Sequence, residues 1–150
     1  MNLYRMLKGR ADEGKPVRVG VIGAGKFSSM FLSQARLTPG IQLVGIAELD
    51  PEKARQACLR TGWAAEALVF GSSAASIADG AADGKTVITG DARQLIEAPL
   101  DVILEITGVP EAGAEHAWQA LENGKHVVMV NVEADSLLGP MLQKLSLIHI

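Results

Sequence analysis

Short apolar runs alternate with segments of helical periodicity along nearly the whole chain. The runs are Val17 to Ile22, Gln42 to Ala47, Thr86 to Thr89, Val102 to Ile106 and His126 to Val130. Most lack the alternation of a strand with one wet face, and near-continuous apolar character is what a strand covered on both sides requires. Between the runs, Phe27, Met30, Phe31, Leu32 and Ala35 recur at helical spacing, and Ala114, Ala117, Trp118 and Leu121 form a second apolar stripe. Strands and helices in strict alternation predict an α/β fold, a Rossmann-type doubly wound parallel sheet in three αβα layers that breaks off after the fifth strand.

Punctuation residues sharpen the helix boundaries. Asp50 before Pro51 is an Asx cap followed by proline at the first helical position, which starts a helix running to Arg60. Asp91 stands in the same relation to Ala92 through Glu97, Pro110 opens a helix reaching Glu122, and Asn123-Gly124 ends it with a left-handed cap. Asp135 is read as the cap of a last helix over Ser136 to Leu145. Leu3, Met6 and Leu7 among Arg5, Lys8 and Arg10 make residues 1–15 a leading helix, without the continuous apolar core of a signal peptide. The stretch Thr61 to Lys85, rich in Ala, Gly and Ser, is read as a surface insertion carrying a helix near Ser73 to Ala81.

Candidate chemistry begins where the first run ends. Val17 to Ile22 passes directly into Gly23-Ala24-Gly25-Lys26-Phe27-Ser28, and the second run delivers Glu48. A strand, a glycine turn and a helix, with an acid about 20 residues further on, is the arrangement that binds a dinucleotide. The first glycine bends the chain, the second admits a pyrophosphate close to the backbone, and the helix N-terminus offers unpaired N–H groups to the anion. The third position is Ser28, small enough for close packing of strand and helix. Glu48 is expected to accept hydrogen bonds from ribose hydroxyls, which favours NAD over NADP because a carboxylate repels a 2′-phosphate.

Charge and composition narrow the partners. The net charge of −3 is spread over interspersed residues, so no basic face suggests nucleic acid or an anionic membrane. Cys58 is the single cysteine, which excludes an internal disulfide and a cysteine-rich zinc site and agrees with a cytoplasmic location. No carboxylate or cysteine stands at metal-ligand spacing near His116 or His126, which are read as surface or packed residues, and no metal is expected.

The series Val19 to Phe27, Val44 to Glu48, Thr107 to Pro110 and Gly124 to Asp135 resembles the homoserine-dehydrogenase-like NAD(P)-binding domain. Within that group, Gly25-Lys26-Phe27 and Val130-Asn131-Val132-Glu133-Ala134-Asp135 are most similar to proteins described as 1-deoxy-D-xylulose 5-phosphate reductoisomerase-like, often with a C-terminal SAF domain. The resemblance covers the chain to about Lys144. It implies residues 16–144 as an NAD(P)-binding domain, NAD or NADP as cofactor, and hydride transfer to or from a small, in some members phosphorylated, carbonyl or hydroxy substrate. It also implies a catalytic domain beyond this chain, through which a homo-oligomer would form. The reductoisomerase-like members are associated with NADPH, opposing the preference read from Glu48. Val132 follows Asn131 where homoserine dehydrogenases have lysine, so neither that substrate nor its catalytic residues carry over.

The cofactor-binding set expected from the turn and the resemblance is Gly23, Gly25, Lys26, Phe27, Glu48, Thr107, Gly108 and Asn131, with Glu133 beside Asn131 and no catalytic residue assignable. Lys53 and Arg55 follow Glu48, but the sequence does not say which way they point. Two rival readings share the same pattern: a non-catalytic NAD(P)-sensing module, and an adenosine-cofactor enzyme such as a methyltransferase. Residues 145–150 look like one translated frame of a transposon-end adapter and are expected to be non-native, which sets His149 aside as a ligand.

Overall fold

A computed structural model describes residues 2–148. Asn2 caps α1 (Leu3–Asp12) by accepting a hydrogen bond from Arg5 N–H. There follow β1 (Val17–Ile22), α2 (Lys26–Ala35), β2 (Ile41–Ala47), α3 (Pro51–Arg60), β3 (Leu68–Phe70), α4 (Ala74–Ala82), β4 (Thr86–Thr89), α5 (Ala92–Glu97), β5 (Val102–Glu105), α6 (Pro110–Glu122), β6 (His126–Met129) and α7 (Val132–Ile148). The expected caps form: Asp50 accepts from the N–H groups of Glu52 and Lys53, Asp91 from that of Arg93, and Gly124 takes the left-handed conformation with φ 68°.

The strands make one parallel sheet in the order β3-β4-β2-β1-β5-β6. The chain winds outward from β1 to one edge, then returns to place β5 on the other side of β1. That reversal creates a topological switch point between β1 and β5, where adjoining loops diverge and leave a crevice at the carboxyl ends of the strands.

Both faces of the sheet are covered, which accounts for the continuous apolar runs. On one face Leu32 of α2 and Ala54, Ala57 and Cys58 of α3 pack on Val19, Val21, Leu43 and Ile46. On the other, Ile77 of α4, Leu95 and Ile96 of α5 and Ala120 of α6 pack on Val44, Val87 and Ile103. Among the described residues no helix is long and apolar enough to cross a membrane.

Two expectations need correction. The stretch from Thr61 to Lys85 is not a surface insertion: it supplies the edge strand β3, paired with β4, and α4, whose Ile77 is fully buried and whose start is fixed by a Ser73–Ser76 capping box. The sheet therefore has six strands rather than five, the extra one being too short to register as an apolar run. The last helix starts at Val132, and its first turn is satisfied by Asn131, whose Oδ1 accepts from Ala134 N–H at 3.3 Å. Asp135 lies within the helix and is not its cap. His149 and Ile150, at the end of the tail read as adapter-derived, lie outside the described residues.

Candidate nucleotide-binding cleft

A cleft of about 400 Å³ opens at the carboxyl ends of β1, β2, β4 and β5, lined on one side by Gly23, Ala24, Gly25, Glu48 and Lys53 and on the other by Thr107, Val109, Ala112 and His116. Its floor is the turn after β1. Gly23 has φ 104°, and a Cβ there would lie 3.1 Å from the backbone of Ile106 and Thr107, so both conformation and space require glycine. Gly25 is extended, makes no side-chain cap for α2, and has no protein atom within 4 Å of where its Cβ would stand. The first amides of α2 are thus left without a side-chain acceptor beside open space. Ser28, fully buried, donates its Oγ–H to Gly25 O at 2.5 Å and ties the turn to the helix.

Glu48 closes the second side of the turn. Its Oε2 accepts from Ala24 N–H at 2.7 Å and lies 3.6 Å from Lys53 Nζ, while Oε1 takes no protein donor among the described residues. Lys53 reaches the cleft because only three residues, Glu48 to Asp50, separate the end of β2 from α3; Arg55, on the next face, pairs with Glu52 away from it.

Beneath the far wall is a polar cluster. Glu105, the last residue of β5, is completely buried. Its Oε1 accepts from Thr107 Oγ at 2.6 Å and lies 3.3 Å from His116 Nδ1, while Oε2 is buried without a hydrogen-bond partner. Burial pushes this carboxyl upward, but the His116, Thr107 and Asn131 side chains together hold it below its ordinary value, so it stays ionised. Asn131 is itself buried, donating Nδ2–H to Val109 O at 2.9 Å and to Thr107 Oγ1 at 3.4 Å. Gly113 lets α6 settle on this cluster, since a Cβ there would collide with the Asn131 amide and stand 3.0 Å from Glu105 Oε2.

Of the residues selected from the sequence, Gly23, Gly25, Glu48 and Thr107 meet on the cleft wall. Lys26 and Phe27 open α2 beside the turn with exposed side chains, and Gly108, at φ 70°, bends the chain before α6. Asn131 lies under the wall and Glu133 is exposed on α7. His116, read as a surface or packed residue, lines the cleft and is only 18% exposed. Glu105 is not among the residues the sequence pattern singles out. Its signal is an acid inside an otherwise apolar run, where an uncompensated charge would be costly.

Residues 19–146 match the family described as homoserine dehydrogenase, NAD binding domain. The chain belongs to that family. As a homoserine dehydrogenase NAD-binding domain it takes a nicotinamide dinucleotide, NAD or NADP, as cofactor. Solved structures share its fold. A Lactobacillus casei myo-inositol dehydrogenase in complex with NAD(H) and myo-inositol is 19% identical, with a TM-score of 0.63 over 89% of this chain and 34% of that one. A Thiobacillus denitrificans homoserine dehydrogenase is 22% identical, with a TM-score of 0.63 over 90% of this chain and 28% of that one. A Synechocystis biliverdin reductase in complex with biliverdin and NADP+ is 24% identical, with a TM-score of 0.61 over 89% and 35%. The chain spans about a third of the length of the solved structures it matches. No curated protein matches it in sequence.

Proposed function

We propose that this NAD-binding domain is the coenzyme-holding part of an oxidoreductase that moves a hydride between the nicotinamide and a small carbonyl or hydroxy compound. The observation that carries the reading is the joined geometry of turn and acid: Gly23 left-handed against β5, Gly25 facing open space at the start of α2, and Glu48 bonded to Ala24 N–H. That donor set suits a dinucleotide. Unclaimed amides at Gly25, Lys26 and Phe27 would hold the pyrophosphate, Glu48 Oε1 would accept the adenosine ribose hydroxyls, and Thr107 would line the ribose on the nicotinamide side. When bound, the dinucleotide supplies the hydride, and the protein supplies its binding and orientation. The resemblance of the Gly25-Lys26-Phe27 turn and the Val130 to Asp135 segment to reductoisomerase-like proteins makes phosphorylated carbonyl compounds the first substrates to assay.

Titration of the full chain with NADH and NADPH, followed by quenching of Trp63 and Trp118 fluorescence and by calorimetry, tests the reading. Saturable binding of either nucleotide, competed by ADP-ribose and not by S-adenosylmethionine, is the expected result. Preferential binding of S-adenosylmethionine, or binding of none of them, would overturn it.

A further inference from the structure

The buried acid under the cleft has no part in the nucleotide-binding pattern of turn and ribose carboxylate. Every group around it is nonetheless arranged with reference to charge. Glu105 Oε1 is held by Thr107 and faces His116 Nδ1 at 3.3 Å, and its side chain has no access to water. A carboxylate in that position accepts the Nδ1 proton, which fixes the ring orientation and leaves Nε2 as the free nitrogen. The ring lines the cleft, and among the described residues Nε2 has no hydrogen-bond partner and is not a buried unsatisfied atom. The ring therefore stands at the cleft with Nε2 unclaimed by the described residues.

Resting on the function proposed above, we infer that Glu105 and His116 form a carboxylate–imidazole pair in which Glu105 is the positioning residue and His116 the group that contacts the bound dinucleotide. With the ring neutral, Nε2 is an acceptor. Once protonated it is a donor and carries a positive charge opposite a ligand whose pyrophosphate is anionic. A protonated ring then binds the dinucleotide more tightly than a neutral one. The other charged groups facing the cleft or packed around the ring are few: Lys53 and Glu48 across the cleft, Glu105 from β5, and the exposed Arg93–Glu115 pair joining α5 and α6. A change of affinity with pH is therefore assigned to this ring only where His116→Gln abolishes it.

The test is the dissociation constant of NADH for the full chain between about pH 5.5 and 8.5, for wild type, His116→Gln and Glu105→Gln. Wild type should bind about fivefold more tightly at the acid end, a modest charge effect across a partly solvated cleft. His116→Gln, a change of similar size on the cleft wall, should give a flat profile at an affinity no better than the alkaline wild type. Glu105→Gln should move the rise in affinity along the pH axis rather than abolish it, while its folded fraction, checked by circular dichroism, is retained. If Glu105→Gln fails to fold, His116→Gln alone decides. A wild-type profile that is flat, or one that survives His116→Gln, overturns the inference and leaves NADH binding standing. Absence of NADH binding by wild type at every pH overturns both readings.

Discussion

Glu48 Oε2 accepts the Ala24 N–H at 2.7 Å, so the acid at the end of β2 and the turn at the end of β1 are a single rigid unit. One carboxylate oxygen stiffens the floor of the cleft while the other remains available to a ligand. Replacement by glutamine keeps an acceptor for Ala24 and removes the charge. Hydrogen bonds to a charged acceptor contribute about 1.5–3 kcal/mol, so Glu48→Gln should weaken NAD binding by roughly tenfold or more. NADP binding should be unchanged or improved, because a 2′-phosphate no longer faces a carboxylate. Parallel calorimetric titrations with the two nucleotides check this, and an unchanged ratio of affinities would remove Glu48 from the ribose site.

Lys53 modifies that preference. Its ammonium lies 3.6 Å from Glu48 Oε2, half-exposed, and is worth little as a stabilising pair. It is, however, the cation paired with the acid proposed to hold the ribose, so it would stand near a 2′-phosphate. Lys53→Met should leave the melting temperature within about a degree, as surface changes do, while lowering affinity for NADP more than for NAD. An equal loss for both nucleotides would assign Lys53 to the pyrophosphate instead.

The glycine turn, the acid that ends beside it and the parallel sheet were legible because each follows from local rules: apolar runs for buried strands, glycine where the backbone turns left-handed, Asp before Pro at a helix start. β3 escaped because three residues at a sheet edge carry too little periodicity to distinguish from a loop. Glu105 and His116 escaped for a different reason. They lie eleven positions apart on a strand and a helix, and nothing in a linear reading indicates that α6 sets His116 on the end of β5. Asn131 was read toward the cleft because it ends a strand on the correct edge, yet its amide is taken up by Val109 and Thr107 and its oxygen by the first turn of α7.

Gly23 and Gly25 are neighbours in the motif with different duties, and two substitutions separate them. Gly23→Ala forces a side chain into a left-handed position against the backbone of Ile106 and Thr107. It should cost about 1–3 kcal/mol and lower the melting temperature by several degrees. Gly25→Val enters open space in an extended conformation that valine adopts readily. Its melting temperature should stay near wild type while NADH binding is lost, because the new methyl groups occupy the approach to the α2 amides. Loss of stability in Gly25→Val with binding retained would contradict the division.

Gly113 tests whether the polar cluster depends on the close approach of α6. Alanine is favoured over glycine inside a helix by about 1 kcal/mol, so a free position would gain stability. Here the added methyl meets the Asn131 amide and stands 3.0 Å from Glu105 Oε2. Gly113→Ala is expected to destabilise by about 2 kcal/mol despite its propensity, through displacement of buried, hydrogen-bonded groups. Chemical denaturation gives the sign directly.

Arg18 and Asp101 pin the start of β1 to the start of β5, with Arg18 N–H donating to Asp101 Oδ2 at 2.8 Å and Nη2 to Oδ1 at 2.7 Å. The side-chain hydrogen bond from Arg18 holds the Asp101 carboxyl below its ordinary range. A carboxyl depressed in the folded state contributes stability that is fully present above its unfolded value and is lost as pH falls through the folded one. The pair is partly exposed, so its contribution is no more than about 1 kcal/mol. Arg18→Met should therefore be less stable than wild type at neutral pH, and the gap should narrow as the solution is acidified below about pH 4. Urea midpoints measured at neutral pH and at successively lower values would reveal it, and a difference that stayed constant down to pH 2 would show that the variant acts through packing of the arginine stem rather than through the carboxylate.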